Sequence, residues 1–130
     1  MNNQLPKKTG MAKFLQGFGF ALQGLSYAFR TQCNIRVHVV IAALALIIAL
    51  ILSIPALELA VIILTITLVL SAELFNTAME TVVDLVAPEY HQLAKIAKDV
   101  SAAAVLVCAV GAVIIGMLLY GNAVLALLKQ

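Results

Sequence analysis

Short polar segments separate three long apolar segments along the chain. The first apolar segment covers residues 37–54, reads VHVVIAALALIIALILSI and ends just before Pro55. The second begins at Leu57 and keeps a helical pattern through residue 86, and the third covers residues 100–128. A helix needs about 20 mostly apolar residues to cross the roughly 30 Å of hydrocarbon in a bilayer. The pattern therefore predicts an all-α integral membrane protein with three spanning helices.

A fourth helix is predicted before the first span, over residues 11–30. At about 100° per residue, Phe14, Phe18, Leu22 and Leu25 share one face, and Gln23 lies opposite. An amphipathic helix of this kind can lie in the headgroup plane of a membrane. We expect one domain over residues 1–130, with this surface helix followed by the three spans.

The composition agrees with a membrane location. Hydrophobic residues make up 64% of the 130 and charged residues only 11%, whereas an average soluble domain has about 25% charged residues. These values exclude a disordered chain, a disulfide-rich secreted module and most water-soluble enzymes. The formal charge of +2 comes without a basic cluster that includes aromatic residues, so no nucleic-acid partner is expected.

The distribution of lysine and arginine predicts the orientation of the chain. Seven of the eight basic residues fall on one side of the predicted spans, and only Lys129 falls on the other. The seven are Lys7, Lys8, Lys13, Arg30, Arg36, Lys95 and Lys98. Basic residues favour the cytoplasmic side, so we expect a cytoplasmic N-terminus, a cytoplasmic 85–99 loop and an external C-terminus. The expected location is the inner membrane of a bacterium.

Half of the charged residues, seven of fourteen, lie between Glu73 and Asp99. In a continuous helix, Glu73, Asn76, Glu80 and Asp84 form a polar stripe about 80° wide. Glu73 would lie about 24 Å along the second helix from Leu57, inside the hydrocarbon or at its edge. Carboxylates at that depth are costly and are usually functional.

The loop after the polar stripe adds further polar side chains. They are Glu89, Tyr90, His91, Lys95, Lys98 and Asp99. Lys95 and Asp99 are four residues apart, a spacing that allows a salt bridge on a helix. Carboxylates that can hold Mg²⁺ or accept a proton, with lysines that offset phosphate charge, are typical of phosphoryl transfer. The glycine-rich phosphate loops of soluble kinases are absent from the sequence.

Two sequence motifs resemble those of the small prokaryotic diacylglycerol kinases and undecaprenol kinases. One is AELFNTAMETVVDLVAPEYHQLAKIAKDVSAAAVL, residues 72–106, which contains E-x-x-N-T-A-x-E-x-x-x-D followed by A-K-D. The other is NIRVHV, residues 34–39, where the first span begins. The resemblance covers about residues 13–120. It implies a trimer of three-span protomers that share active sites and use MgATP to phosphorylate a lipid hydroxyl.

The resemblance also implies a role for individual residues. Glu73 corresponds to the catalytic base, and Glu80 and Gln32 correspond to the metal-ligand positions. The residues it assigns to the nucleotide are Lys13, Phe20, Gln32, Asn76, Glu80, Glu89, Tyr90, His91, Lys98 and Asp99. The residues it assigns to the lipid substrate are Lys13, Arg36 and Glu73.

The chain departs from the family pattern at two positions. Gln32 stands where many members have a glutamate, and an amide oxygen can ligate Mg²⁺ without contributing a charge. We expect this substitution to lower the affinity for a second metal ion or to abolish its binding. Phe20 stands where some members have a tyrosine near ATP, so one hydroxyl group is missing.

Three functions remain open from the sequence. The first is a lipid kinase that transfers phosphate directly from ATP, with either diacylglycerol or undecaprenol as substrate. The second is a small multidrug-type, proton-coupled transporter in which Glu73 carries the proton. The third is an accessory subunit without activity. The transporter hypothesis leaves Asn76, Glu80 and the Lys98–Asp99 pair without a role.

Overall fold

The computed structural model describes residues 10–128, without the side chains of residues 126 and 127, and all of its regular structure is helical. The surface helix, α1, covers Gly10–Thr31. Three apolar helices follow, and these are α2 (Cys33–Ile51), α3 (Ala56–Val86) and α4 (Gln92–Leu127). Each of the three is long and apolar enough to cross a membrane. Lys7, Lys8 and Lys129, which contribute to the predicted orientation, lie outside the described residues.

Two of the apolar helices have boundaries that differ from the sequence-based expectation. The helix that holds the first span begins at Cys33 and ends at Ile51, rather than covering 37–54, because Leu52 and Ser53 form a turn. The helix that holds the third span begins at Gln92, well before Val100. Lys95 and Asp99 pair along this helix, which extends through the segment expected to be a loop. Only residues 87–91 connect α3 to α4.

The connections between α1 and α2 and between α2 and α3 are short. Gln32 alone separates α1 from α2, and its extended backbone (φ −101°, ψ 121°) interrupts the helical path. Ser53 has a φ of +51°, in the left-handed region, and Pro55 precedes the first residue of α3. The chain therefore makes a tight reversal between α2 and α3 at these residues. Ile54 is buried there against Ala49 and Ile62.

The two longest helices exceed the thickness of a bilayer. At 1.5 Å per residue, the 31 residues of α3 extend about 46 Å and the 36 residues of α4 about 54 Å. Both are longer than the roughly 30 Å of hydrocarbon. The polar stripe lies in the C-terminal half of α3, beside the N-terminal half of α4, so the excess length carries it toward the membrane surface.

Packing is concentrated around α3, which contacts α4 most extensively and α2 next. The buried apolar side chains are few and small or medium in size, such as Ala49, Ile62 and Val105. Most large apolar side chains face outward. In a bilayer this arrangement carries no penalty, because lipid tails are as apolar as leucine. Close approach of small residues and interhelical hydrogen bonds therefore matter more here than burial of large side chains.

One such hydrogen bond ties α4 to α2. The Tyr120 hydroxyl donates to the Ala45 carbonyl oxygen at 2.8 Å. We expect Tyr120→Phe, which removes only this donor, to lower the free energy of unfolding by about 1 kcal/mol. Reversible unfolding in mixed detergent micelles measures the change. Tyr27→Phe on the exposed side of α1 is the matched control, and an equal loss in both variants would contradict the role of the hydrogen bond.

Candidate active site

The polar stripe begins with three buried residues of α3. Glu73, Asn76 and Thr77 are each no more than 6% exposed, although they lie in a helix that is otherwise apolar. The Thr77 hydroxyl donates to the Glu73 carbonyl oxygen at 2.9 Å, so this hydroxyl is satisfied within the helix. The carboxyl of Glu73 and the amide oxygen of Asn76 need partners from other helices.

Residues of α2 meet the Glu73 carboxyl. The side chains of Asn34 and His38, and that of Glu80 on α3, lie close enough to the Glu73 carboxyl to interact with it electrostatically. Asn34 and His38 are four residues apart, so they lie on one face of α2. A buried carboxyl is tolerated only where polar groups replace its lost hydration. The α2 face supplies two of those groups.

Both oxygens of the Glu80 carboxylate accept hydrogen bonds from amides. Asn76 Nδ2 donates to Oε1 at 3.1 Å, and Gln32 Nε2 donates to Oε2 at 3.4 Å. Gln32 is the residue at the bend between α1 and α2. The backbone break that separates these helices therefore also brings the Gln32 side chain to α3.

Ser101 connects the network to α4. Its hydroxyl lies 2.7 Å from Asn76 Oδ1 and 2.9 Å from the carbonyl oxygen of Lys98. A hydroxyl has one proton to donate, so the two acceptors share it. With the Asn76 oxygen held toward Ser101, the Asn76 amino group faces Glu80. Four side chains from three parts of the fold thus form a continuous chain, Ser101–Asn76–Glu80–Gln32.

Two ion pairs lie toward the N-terminal end of α4. Lys95 pairs with Asp99 at 2.5 Å, which confirms the spacing-based prediction. Lys98 pairs with Asp84 of α3, also at 2.5 Å. The side chains of Lys95, Asp99 and Asp84 are each at least 60% exposed. Exposed pairs contribute little to stability, so a bound anion can displace the carboxylates at small cost.

Several predicted site residues lie apart from this hydrogen-bond network. Within residues 10–128, no hydrogen bond or ion pair connects the side chains of Lys13, Phe20, Glu89 or Tyr90 to it. Lys13 and Phe20 are exposed on α1, and Glu89 and Tyr90 are exposed in the α3–α4 link. Arg36 lies on the first turn of α2, where its Nη1 donates to the Arg30 carbonyl oxygen at 3.5 Å.

His91 has a local structural role at the start of α4. Its Nδ1 accepts a hydrogen bond from the backbone N–H of Leu93 at 3.2 Å. Its carbonyl oxygen accepts another from the Lys95 N–H at 3.0 Å. His91 therefore satisfies donors at the helix N-terminus. This holds the Glu89–His91 link close to the first turn of α4, where Lys95 lies.

Sequence reasoning assigned no role to Asn34, His38 or Ser101. Asn34 and His38 stood in the NIRVHV motif, and their spacing of four residues was the signal that they share a face. Ser101 stood at the start of an alanine-rich run, and its position two residues after Asp99 carries no pattern of its own. Only the packing of α4 on α3 identifies Ser101 as a partner of Asn76.

The oxygen atoms of this network suit a hard cation. Mg²⁺ takes carboxylate and amide oxygens but usually binds through one or two carboxylates together with substrate phosphates. In residues 10–128 no group of three or more His, Cys, Asp or Glu side chains forms a metal cage. Glu80, with the Asn76 and Gln32 amides beside it, therefore fits a Mg²⁺ ion that arrives with phosphates better than a permanently bound one.

Comparison with known proteins gives one family. The protein-family model described as "Prokaryotic diacylglycerol kinase" matches residues 19–120. The "Diacylglycerol kinase" of Synechocystis sp. is 50% identical over 103 residues, which are 78% of this chain and 59% of that protein. The chain therefore spans less than two thirds of the length of this relative.

Two shorter relatives match over most of their length. The "Undecaprenol kinase" of Bacillus subtilis is 39% identical over 108 residues, 83% of this chain and 88% of that protein. The "Diacylglycerol kinase" of Escherichia coli K12 is 36% identical over 106 residues, 82% of this chain and 87% of that protein. Both names denote lipid kinases.

The hydrogen bond from Ser101 predicts a measurable loss of stability when the hydroxyl is removed. Ser101→Ala leaves the oxygen of buried Asn76 without its donor, and an unsatisfied buried polar group costs about 1–3 kcal/mol. Unfolding in mixed micelles should show a decrease in this range. The control is Ser71→Ala, at an exposed position of α3. A Ser101 variant as stable as the Ser71 variant would exclude the proposed contact.

Proposed function

The chain belongs to the prokaryotic diacylglycerol kinase family, and from that membership we propose that it transfers the γ-phosphoryl group of ATP to the hydroxyl of a membrane lipid. The product is phosphatidic acid if the lipid is diacylglycerol, or undecaprenyl phosphate if it is undecaprenol. The observation that carries the proposal is a buried carboxyl at the apolar end of a polar network that has exposed lysines at its other end.

Glu73 is the general base in this proposal. Its carboxylate takes the proton from the lipid hydroxyl while the lipid oxygen forms a bond to the γ-phosphorus of ATP. The bond from that phosphorus to the β–γ bridging oxygen breaks, and ADP leaves. A direct in-line displacement needs no covalent enzyme intermediate. The surroundings of Glu73 support this role, because they exclude water and place the Asn34 side chain near the carboxylate.

The nucleotide would occupy the cytoplasmic end of the network. Lys98 can exchange Asp84 for phosphate oxygens, since their ion pair is exposed. Asn76 and Asp99 complete the site on α3 and α4, with Lys13 and Phe20 of α1 approaching from the membrane surface. The Glu89–Tyr90–His91 link is exposed and would line the nucleotide.

Mg²⁺ would be held by Glu80 and the ATP phosphates, and the Gln32 amide oxygen would be a further ligand. When bound, the ion neutralises charge that develops on the transferred phosphoryl group. Gln32 contributes no negative charge, and its amino group faces Glu80. We therefore expect weak affinity for any second ion.

The lipid headgroup would lie where α1 meets α2. Arg36, on the first turn of α2, is exposed and provides positive charge at this junction. Lys13, near the start of α1, is also exposed and would add positive charge farther along the membrane surface. Lysine and arginine also dominate this side of the chain. The distribution supports a cytoplasmic site in the inner membrane.

We further propose a homotrimer with active sites shared between protomers, as the family resemblance implies. The extensive outward apolar surface of α2, α3 and α4 is compatible with both lipid and neighbouring helices. Crosslinking in membranes would test the number of protomers.

Replacement of Glu73 tests the proposed chemistry. In Glu73→Gln, we expect lipid-dependent ADP release to fall by about 10²–10⁴-fold, the usual contribution of a general base. The amide keeps the shape of the side chain, so ATP affinity should change little. The assay uses purified protein in lipid micelles with MgATP, and Glu58→Gln at the other end of α3 is the matched control.

The same assay separates the remaining functions. A transporter would lose proton-coupled uptake in Glu73→Gln but would show no lipid-dependent ADP release in the unaltered protein. An accessory subunit would show neither activity. A Glu73→Gln variant that phosphorylates lipid at the unaltered rate would overturn the assignment of Glu73 as base.

Restoring a charge at position 32 tests the metal proposal. A carboxylate about 4 Å from a divalent ion adds roughly 2 kcal/mol of attraction even at the dielectric constant of water. We expect Gln32→Glu to lower the Mg²⁺ concentration needed for half-maximal activity by about tenfold. Mn²⁺ binding in the presence of ATP, followed by electron paramagnetic resonance, provides a readout independent of turnover. Gln23→Glu on α1 is the control, and unchanged binding would contradict the assignment.

A further inference from the structure

An apolar groove runs along α3 between α2 and α4. It has a volume of about 270 Å³. Small residues create the space, because Ala42 and Ala45 line it from α2, and Ala109, Ala112 and Gly116 line it from α4. Its lining includes few polar side chains. No residue assigned to nucleotide or metal is part of the lining.

The floor of the groove is continuous with the proposed active site. Ile62, Thr65 and Val69 of α3 line the groove, and Glu73 follows Val69 by one turn on the same face. Thr65 donates its hydroxyl to the Val61 carbonyl oxygen at 2.8 Å, so it presents no unpaired polar group. The α3 face therefore changes from apolar to polar at a single point, between Val69 and Glu73.

The walls of the groove show the same transition. On α2, His38 lines the end of the groove nearer the polar stripe, and it also lies close enough to Glu73 to interact with it electrostatically. On α4, the face that carries Ser101 continues at four-residue spacing to Ala109 and beyond. Each of the three helices thus has one face that begins near the polar residues and continues along the groove.

The distance from Glu73 to the far end of the groove matches one leaflet of a bilayer. Ile62 and Glu73 are eleven residues apart, which is about 16 Å along the helix, and half of the hydrocarbon core is about 15 Å. Tyr120 lies at the far end, where its hydroxyl bonds to the Ala45 carbonyl oxygen. This bond joins α4 to α2 across the groove and closes its end.

We propose that the groove holds one hydrocarbon tail of the lipid alcohol whose hydroxyl reaches Glu73, and that Tyr120 limits this tail to about the length of an acyl chain. The inference rests on the kinase function proposed above and deepens it. A long polyprenyl tail exceeds the groove several-fold and must leave it sideways, whereas most of an acyl tail fits within it. The groove therefore favours an acylglycerol over a polyprenol.

Gly116 allows a direct test, because it lines the outer part of the groove, about 10 Å along α4 from Ala109. Gly116→Phe would fill the space that a long tail needs and leave room for a short one. We expect kcat/KM for dioleoylglycerol to fall about tenfold or more, the effect of losing contact with one or a few methylenes. The value for dioctanoylglycerol and the KM for ATP should stay nearly unchanged.

Gly111→Phe is the matched control, since Gly111 lies on α4 with no atom near the position of an added Cβ and does not line the groove. Tyr120→Ala is the complementary variant, which opens the far end. We expect it to raise the rate with undecaprenol relative to dioleoylglycerol. If Gly116→Phe does not fold, the ratio of the undecaprenol rate to the dioleoylglycerol rate in Tyr120→Ala tests the proposal.

Three results would overturn the proposal. One is an equal loss of activity toward long and short diacylglycerols in folded Gly116→Phe. Another is a change in oligomeric state with an unaltered tail-length profile, which would mean that a second copy fills the groove. The third is an unchanged undecaprenol ratio in Tyr120→Ala. If the unaltered protein phosphorylates no lipid alcohol, the kinase proposal itself fails, and that outcome is distinct from these three.

Discussion

The rest of the structure depends on the burial of the Glu73 carboxyl within a bundle of apolar helices. Glu73 and Ile35 are the largest side chains that are fully buried, so the best-packed part of the protein surrounds a group that resists leaving water. The fold compensates with one amide and one imidazole from α2 and with a hydrogen-bonded network that joins α3 to α4 and to the bend at Gln32. These polar contacts hold the helices together, as apolar packing does in a soluble protein.

The compensation explains why the helices are as long as they are. A helix that only crossed the membrane would end near Glu73, and its last carbonyl groups would then have no partners in a low-dielectric region. Because α3 continues to Val86 and α4 starts at Gln92, backbone groups stay paired while side chains change from apolar to charged. The same extension takes Asp84 and Lys98 to a place where their ion pair can open.

Some of the site could be predicted from the sequence, and the reasons are physical. The helical period alone aligned Glu73, Asn76 and Glu80, and the four-residue spacing alone paired Lys95 with Asp99. Contacts between helices could not be read in this way. The pairing of Lys98 with Asp84, the Gln32 hydrogen bond to Glu80 and the Ser101 contact with Asn76 all join residues on different helices, whose rotation and depth depend on packing.

By itself, the sequence determined that the protein is helical, that three helices can cross a membrane and that charged residues concentrate between Glu73 and Asp99. These properties follow from composition and from periods within one helix, so no knowledge of neighbouring helices is needed. Only the tertiary structure decided that the bend at Gln32 brings its side chain to α3 and that α4 begins at Gln92. It also decided that small residues leave a groove beside Glu73. Cavities and interhelical hydrogen bonds arise from the relative placement of helices, which a local sequence pattern does not encode.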